Sequence, residues 1–368
     1  MNNLSKKMSI IFAGGGTGGH LYPLLAIADY LKSNNPEFNP IFVGASDRLE
    51  ASVVPEAGYK FHSLWISGII RKIDLKNFLL PFKFIYSFLK SYFLCLYYSP
   101  KIVVGSGAYV AGVFCAAAKF YGAKLVLLEQ NVTPGLTNKK LSPYADLIVI
   151  SYDESAKYFK SGNIRNLGNP IRHSVKIIPK AEAVKNFGLS EDRFTILVLG
   201  GSLGSEAINE IIFINLDRII TAGFQMIWQT GKSHISRYSK FGSPKVKILP
   251  YLDDVGIALS SADVVISRAG ATTLAEFSAL QIASILIPSP YVTDNHQYKN
   301  AKLLSDTNAA MLLNEKDAKA NIFSILLELK KNPGKLELLR KNIGENANPE
   351  AASNIASEII ELAVGKKL

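Results

Sequence analysis

The chain predicts an α/β protein of two Rossmann-like, doubly wound domains facing a central cleft, and three observations carry that expectation. Short apolar runs with few charges alternate with helical ones, as strands buried on both faces of a parallel sheet do. The plan occurs twice, because residues 10–13 and residues 195–199 each run into consecutive glycines and then a helix. A length of 368 residues suits two domains at about 150 residues each.

In the first half the strand signals lie at residues 9–13, 40–44, 101–104, 124–128 and 147–151. The first of them enters Gly14-Gly15-Gly16-Thr17-Gly18-Gly19-His20 and a helix over 21–31. A strand that stops on glycines before a helix leaves backbone N–H groups and a positive helix end aimed at one spot, which suits an anion. The bland alternative is a tight turn whose glycines only permit close packing, and one glycine turn does not decide between them.

The second half repeats the arrangement. Strand 195–199 enters Gly200-Gly201-Ser202-Leu203-Gly204-Ser205 and a helix from Glu206, and further strands are expected at 224–228, 246–250, 264–267 and 285–287. Gly168-Asn169-Pro170-Ile171-Arg172 reads as the linker. The expected division is therefore 1–170, 171–345 and a terminal segment 346–368. Asn348-Pro349 reads there as the cap and first turn of a helix over 350–364 that packs back on the first domain.

Composition narrows the function. A net charge of +11 is uneven: residues 1–172 hold 19 Lys and Arg against 10 Asp and Glu, the remainder 22 against 20. The basic half is expected to meet something anionic. No aromatic and basic interleaving marks a nucleic-acid module, so no nucleic-acid partner is expected. Cys95 and Cys115 lack metal-ligand spacing and read as packing residues. No cleavable leader is expected, because residues 1–7 are polar and the next apolar run is short.

Residues 78–98 are long, aromatic and nearly uncharged. Lys83, Ser87, Lys90 and Ser91 form one helical stripe, with Phe82, Ile85, Leu89 and Phe93 among the apolar remainder. Three readings stay open: a core helix with one wet edge, a helix dipping its apolar side into a membrane surface, or a span.

Chemistry-bearing residues cluster after strands. No Walker lysine follows either main glycine turn, and a nicotinamide reading of the first one lacks an acid at the next strand end, Asp47 coming late. Ser267-Arg268-Ala269-Gly270 leads into Ala271-Thr272-Thr273-Leu274-Ala275-Glu276. There Glu276 could accept from both hydroxyls of a ribose or simply favour the helix dipole. The polar loop 288–301 carries Asn295, His296 and Gln297, which suit a hydroxyl-rich ligand. His62, His173 and His234 read as structural, and Asp253-Asp254 as capping residues rather than metal ligands.

Taken together, Gly14 to His20, Gly107-Ala108-Tyr109-Val110-Ala111-Gly112, Glu129-Gln130-Asn131 with Gly135-Leu136-Thr137-Asn138-Lys139, the Gly168 linker, the Gly200 turn, residues 262–276 and His296-Gln297 with Asn300-Ala301 resemble the MurG glycosyltransferases in order and spacing. The resemblance spans nearly the whole chain. It implies a GT-B fold and transfer of N-acetylglucosamine (GlcNAc) from UDP-GlcNAc to undecaprenyl-pyrophosphoryl-MurNAc-pentapeptide; direct displacement with one base is expected to invert the anomeric centre, and with helix ends and Arg172 carrying the leaving charge no cofactor or metal is expected. It further implies peripheral attachment to the cytoplasmic face of an anionic membrane surface and a place in a cell-wall synthesis complex.

Carried over by position, it implies a donor site of Thr17, Gly18, Gly19, Asn131, Arg172, Ser202, Leu252, Ala271, Thr272, Thr273, Leu274, Ala275, Glu276 and Gln297, with His20 as catalytic base. Gly15, Gly16, Tyr109 and Glu129 are expected on the acceptor side. Phe82, Lys83, Ile85, Leu89 and Lys90 are expected at the membrane surface. Where many relatives carry His before Glu-Gln-Asn, this chain has Leu128. The competing readings are another UDP-sugar enzyme of the same plan, either a lipid glycosyltransferase or a UDP-GlcNAc 2-epimerase, and a non-catalytic nucleotide-sugar sensor.

Overall fold

The structure, a computed structural model, describes residues 7–67, 79–160, 162–171, 178–201 and 203–365. Arg172, Ser202, His173 and Phe78 lie outside the described residues. The chain divides into two compact units, Met1–Arg172 with Asn348–Leu368, and His173–Ala347.

In the first unit β1 (Met8–Ala13), β2 (Phe38–Ala45), β3 (Lys60–Leu64), β4 (Ile102–Gly105), β5 (Lys124–Glu129), β6 (Leu147–Ile150) and β7 (Ile164–Asn166) form one sheet in the order β3-β2-β1-β4-β5-β6-β7. Every pairing in it is parallel. In the second unit β8 (Thr195–Leu199), β9 (Gln225–Gln229), β10 (Val246–Leu249), β11 (Val264–Ser267), β12 (Ser284–Leu286) and β13 (Met311–Leu312) follow the order β10-β9-β8-β11-β12-β13, again parallel. Strand order reverses beside β1 in one unit and beside β8 in the other. Connections leave to opposite faces at such a point, and a crevice opens beyond the carboxyl ends of the strands. Both main glycine turns sit there.

The two-residue period of a strand sends β1 into two cores. Ile10 and Phe12 face a cluster with Leu24, Ile27 and Ile359, whereas Ile11 and Ala13 face Phe114, Cys115 and Cys95. Both cysteines are free and buried, and burial pushes the Cys95 thiol up to about 12, so they pack rather than react.

The terminal helix Ala351–Val364 belongs to the first unit and lays Ile355, Ala356, Ile359, Ile360 and Ala363 into its core. Complete burial of Ile355 or Ile359 contributes about 1.5–3 kcal/mol each. The expected cap is corrected: Glu350 holds the N-cap position, and Asn348 Nδ2 instead donates to Leu167 O at 2.8 Å.

The helix Leu80–Tyr98 reverses the core-with-wet-edge expectation. Its polar stripe faces the protein: Ser87, Ser91 and Cys95 are its buried residues. Ser87 Oγ donates to Trp65 O, Lys90 Nζ to Ser63 O and Lys83 Nζ to Ser67 Oγ. Phe82, Ile85, Leu89, Phe93 and Tyr97 point outward, Phe82 being 67% and Tyr97 74% exposed. Phe120, at 75%, extends this patch from the helix Ala108–Tyr121 and packs its ring on Tyr92. Small hydroxyls let the helix sit close while their own backbone partners satisfy them, which a count of polar residues does not distinguish from solvation. Among the described residues no helix is long and apolar enough to cross a membrane.

Candidate functional site

In the first unit the glycine turn ends β1. Gly15 at φ +148° and Gly16 at φ +81° occupy conformations that a side chain resists. Thr17, extended and exposed, holds the N-cap position of the helix Gly18–Asn34, in which His20 is the third residue. Thr17 O accepts from His20 N and Leu21 N at 3.2 Å, and Ser106 Oγ donates to His20 O at 2.7 Å. Gly107, at φ +99°, lies so close that a Cβ there would approach the imidazole Cε1 to 3.1 Å. His20 Nδ1 is buried without a hydrogen-bond partner. The ring is thus fixed by packing and by its own backbone, not by a carboxylate on Nδ1.

Two acceptor-side candidates have internal partners. The Gly16 N–H donates to Glu50 Oε2 at 2.8 Å. Glu129 is buried, and its carboxylate serves its own loop: Oε1 accepts from Asn131 N and Nδ2, and Oε2 from Gly135 N and Asn138 Nδ2, all at 2.9–3.2 Å. Those bonds shape the segment that presents Asn131. Tyr109, at the start of the helix Ala108–Tyr121, remains exposed.

In the second unit Gly201 and Gly204 take φ of +85° and +80°. A Cβ on Gly204 would fall 2.1 Å from Thr230 O, so the segment that follows β9 closes against the turn. Ser205 caps the helix Glu206–Thr221, its Oγ accepting from Ile208 N. The same hydroxyl accepts from Arg268 Nε at 3.1 Å and Nη2 at 2.7 Å. Arg268 Nη1 donates to Ile287 O at 3.0 Å and to Glu315 Oε2 at 2.8 Å. One guanidinium therefore ties the glycine turn to the segment that follows β12.

Beyond β11, the helix Ala271–Ala279 has Gly270 at its N-cap, with no side-chain cap, and Thr272 and Thr273 lie in its first turn. Glu276, on that helix, is buried, as are Ala271, Thr272 and Leu274, whereas Thr273 and Ala275 are half-buried. Gln297 Oε1 accepts from Ser289 N at 2.8 Å, folding its loop. Leu252 is 4% exposed, its side chain inside a core cluster. Asp254 caps the helix Val255–Ser260, as expected.

Glu50, Ser106 and Arg268 carry these arrangements without having been read as site residues. Arg268 and Ser106 each had a signal, a place at the carboxyl end of a central strand, Ser106 within the glycine turn Gly105-Ser106-Gly107. Among the described residues no group of three or more His, Cys, Asp or Glu could hold a metal ion. His62 is bonded to the Tyr98 hydroxyl at 2.8 Å, a structural pairing.

Comparison with known proteins places this geometry. Residues 10–150 match the glycosyltransferase family 28 N-terminal domain and residues 195–356 the family 28 C-terminal domain. The fold and its paired glycine turns define a GT-B glycosyltransferase. A relative from Flavobacterium psychrophilum, named UDP-N-acetylglucosamine--N-acetylmuramyl-(pentapeptide) pyrophosphoryl-undecaprenol N-acetylglucosamine transferase, is 38% identical over 98% of this chain and 100% of its own length. The chain belongs to the MurG family of glycosyltransferases. Crystal structures of Acinetobacter baumannii MurG (TM-score 0.75, 24% identity, 96% of this chain and 99% of that one) and of a Neisseria meningitidis UDP-GlcNAc 2-epimerase (TM-score 0.69, 11% identity, 96% of this chain and 100% of that one) share the fold.

Proposed function

We propose that this enzyme transfers GlcNAc from UDP-GlcNAc to the C4 hydroxyl of undecaprenyl-pyrophosphoryl-MurNAc-pentapeptide, inverting the anomeric centre. The observation that carries the reading is the full-length relationship to a transferase of that name at 38% identity. The geometry supplies plausible chemistry for it.

UDP-GlcNAc is assigned mainly to the second unit. Glu276 accepts from the ribose hydroxyls, the backbone of Leu252 faces the uracil, and Gln297 with Asn131 binds sugar hydroxyls. The uncapped first turn at Ala271, the Gly200 to Gly204 turn with Ser202, and Arg172 meet the diphosphate. The resemblance also assigns Thr17, Gly18 and Gly19 to the donor sugar.

His20 takes the proton of the muramyl O4 as that oxygen attacks C1 of GlcNAc. The C1–O bond to the diphosphate breaks, and UDP leaves with the electron pair. One displacement at C1 gives a β-linkage. Helix ends and Arg172 carry the leaving charge, so the reading assigns no cofactor and no metal to the step.

The acceptor is a lipid, and the outward aromatic face of the helix Leu80–Tyr98 lies on the basic half of the sequence. Exposed apolar area of that kind marks an interaction surface. The reading places it against the cytoplasmic leaflet, as a peripheral attachment through Phe82, Ile85 and Leu89, with Lys83 and Lys90 anchoring the helix to Ser67 and Ser63. In the same reading the enzyme works within a cell-wall synthesis complex.

Incubation with UDP-[14C]GlcNAc and the muramyl-pentapeptide lipid tests the reading. Label in a solvent-extractable disaccharide lipid is expected. Epimerised UDP-sugar formed without any acceptor would instead support the epimerase class that shares the fold, and UDP-GlcNAc binding with no turnover would support a sensor.

A further inference from the structure

We propose that Glu50 is the positioning residue of the first glycine turn, and that its carboxylate holds the place on that turn where a substrate anion would otherwise bind. The inference rests on the transferase reading for what the turn delivers, but its geometry stands within the first unit alone.

Glu50 opens the helix Glu50–Glu56 and is 1% exposed. A buried carboxylate needs compensation, and among the described residues it forms no ion pair. Two backbone donors supply the compensation instead: Gly16 N at 2.8 Å on Oε2 and Ala45 N at 2.9 Å on Oε1. Hydrogen bonds to an ionised acceptor are the strong kind.

The surrounding backbone is moulded to the side chain. A Cβ on Gly15 would fall 2.1 Å from Glu50 Cδ, and one on Gly44 would fall 2.3 Å from its Cγ. Glycine at both positions is therefore what admits the carboxylate between the ends of β1 and β2.

Glycine turns of this kind donate their amides to phosphates. Here the Gly16 amide is already given to an internal anion, and a second anion on it would meet like charge. The turn then acts by fixing where Thr17 stands and where the helix carrying His20 begins.

The carboxylate is specifically required, because both of its partners donate. In Glu50→Gln an NH2 group faces one of the two amides, and one bond is lost at unchanged shape. In Glu50→Ala the place is vacated, and a small carboxylate from solution can fill it.

The test uses the full chain, with hydrogen-exchange mass spectrometry on residues 13–20 and steady-state kinetics with UDP-GlcNAc and the muramyl-pentapeptide lipid. In Glu50→Gln, exchange of that segment should quicken about tenfold, with the second unit unchanged. Turnover should fall about tenfold, with both KM values within about twofold of wild type. Formate, but not chloride at equal ionic strength, should restore at least part of the lost turnover in Glu50→Ala.

Unchanged exchange in a folded Glu50→Gln would overturn the proposal. So would a raised acceptor KM at normal kcat, which would make Glu50 a substrate contact. Failure of formate to rescue a folded Glu50→Ala would also overturn the anion place, and if Glu50→Ala does not fold, the isosteric Glu50→Gln decides. If the wild type transfers no GlcNAc, the functional reading fails while the exchange measurement still judges Glu50.

Discussion

Replacing Arg268 with lysine isolates what the guanidinium fork does for the second glycine turn. The arginine contacts Ser205 Oγ through two nitrogens and reaches Ile287 O and Glu315 Oε2 through a third, with its side chain 13% exposed. A lysine ammonium keeps the ion pair with Glu315 but has no rigid fork to span the other two. Ser205 Oγ retains its bond from Ile208 N, so the main loss is the donor to Ile287 O and the tie between the two segments. Losing a hydrogen bond from a charged group costs about 1.5–3 kcal/mol. If that order is needed to seat the diphosphate, about 2 kcal/mol corresponds to about thirtyfold weaker UDP binding. Calorimetric titration of UDP into the full chain measures it, with thermal melting as the check on folding. Arg237→Lys is the control, since its pairs with Glu206 and Glu210 are exposed and worth little. UDP affinity within about twofold of wild type in a folded Arg268→Lys would refute the clamp.

Other consequences are as direct. His20→Ala should slow turnover about a hundredfold while sparing donor affinity, as single-turnover and equilibrium binding measurements would show; near-normal turnover would remove it from the base role. Phe82→Glu with Phe93→Glu should weaken retention on anionic liposomes while leaving the melting temperature nearly unchanged, since both side chains are exposed, and undiminished retention would count against that surface. Burial acts to raise the Asp146 carboxyl, but bonds from Lys119, Leu125 N and Lys124 outweigh it and hold the group below its ordinary 3.8. A depressed carboxylate stabilises above its unfolded pKa and loses that contribution as pH falls through the folded value. Asp146→Asn should therefore melt lower than wild type at neutral pH and converge with it as pH falls below the ordinary 3.8 and through the folded value, whereas a gap that persists in acid would refute the assignment.

The central strands were legible because burial on both faces removes charge from every position, as in β1 and β8. The strands that escaped notice, β3, β7 and β13, are edge strands. Lys60, His62 and Ser63 in β3 and Arg165 and Asn166 in β7 look like loop residues, because an edge needs only one partner and part of it stays wet. The helix over 80–98 was evident from its period, but its orientation was not, since serines satisfied by backbone carbonyls pack inward as well as alanines would. Both main glycine turns announced themselves locally. Their supports did not: Glu50 lies 34 residues from Gly16, and Arg268 lies 63 from Ser205. Glu129 was visible as an acid beside a loop, yet only the fold shows its oxygens spent on Asn131, Gly135 and Asn138.

The transfer requires both substrates, and UDP release reads that requirement. With UDP-GlcNAc alone only background release is expected, and with the undecaprenyl-pyrophosphoryl-MurNAc-pentapeptide added, stoichiometric UDP and disaccharide lipid. Equal release with and without that lipid, or none in its presence, would contradict it.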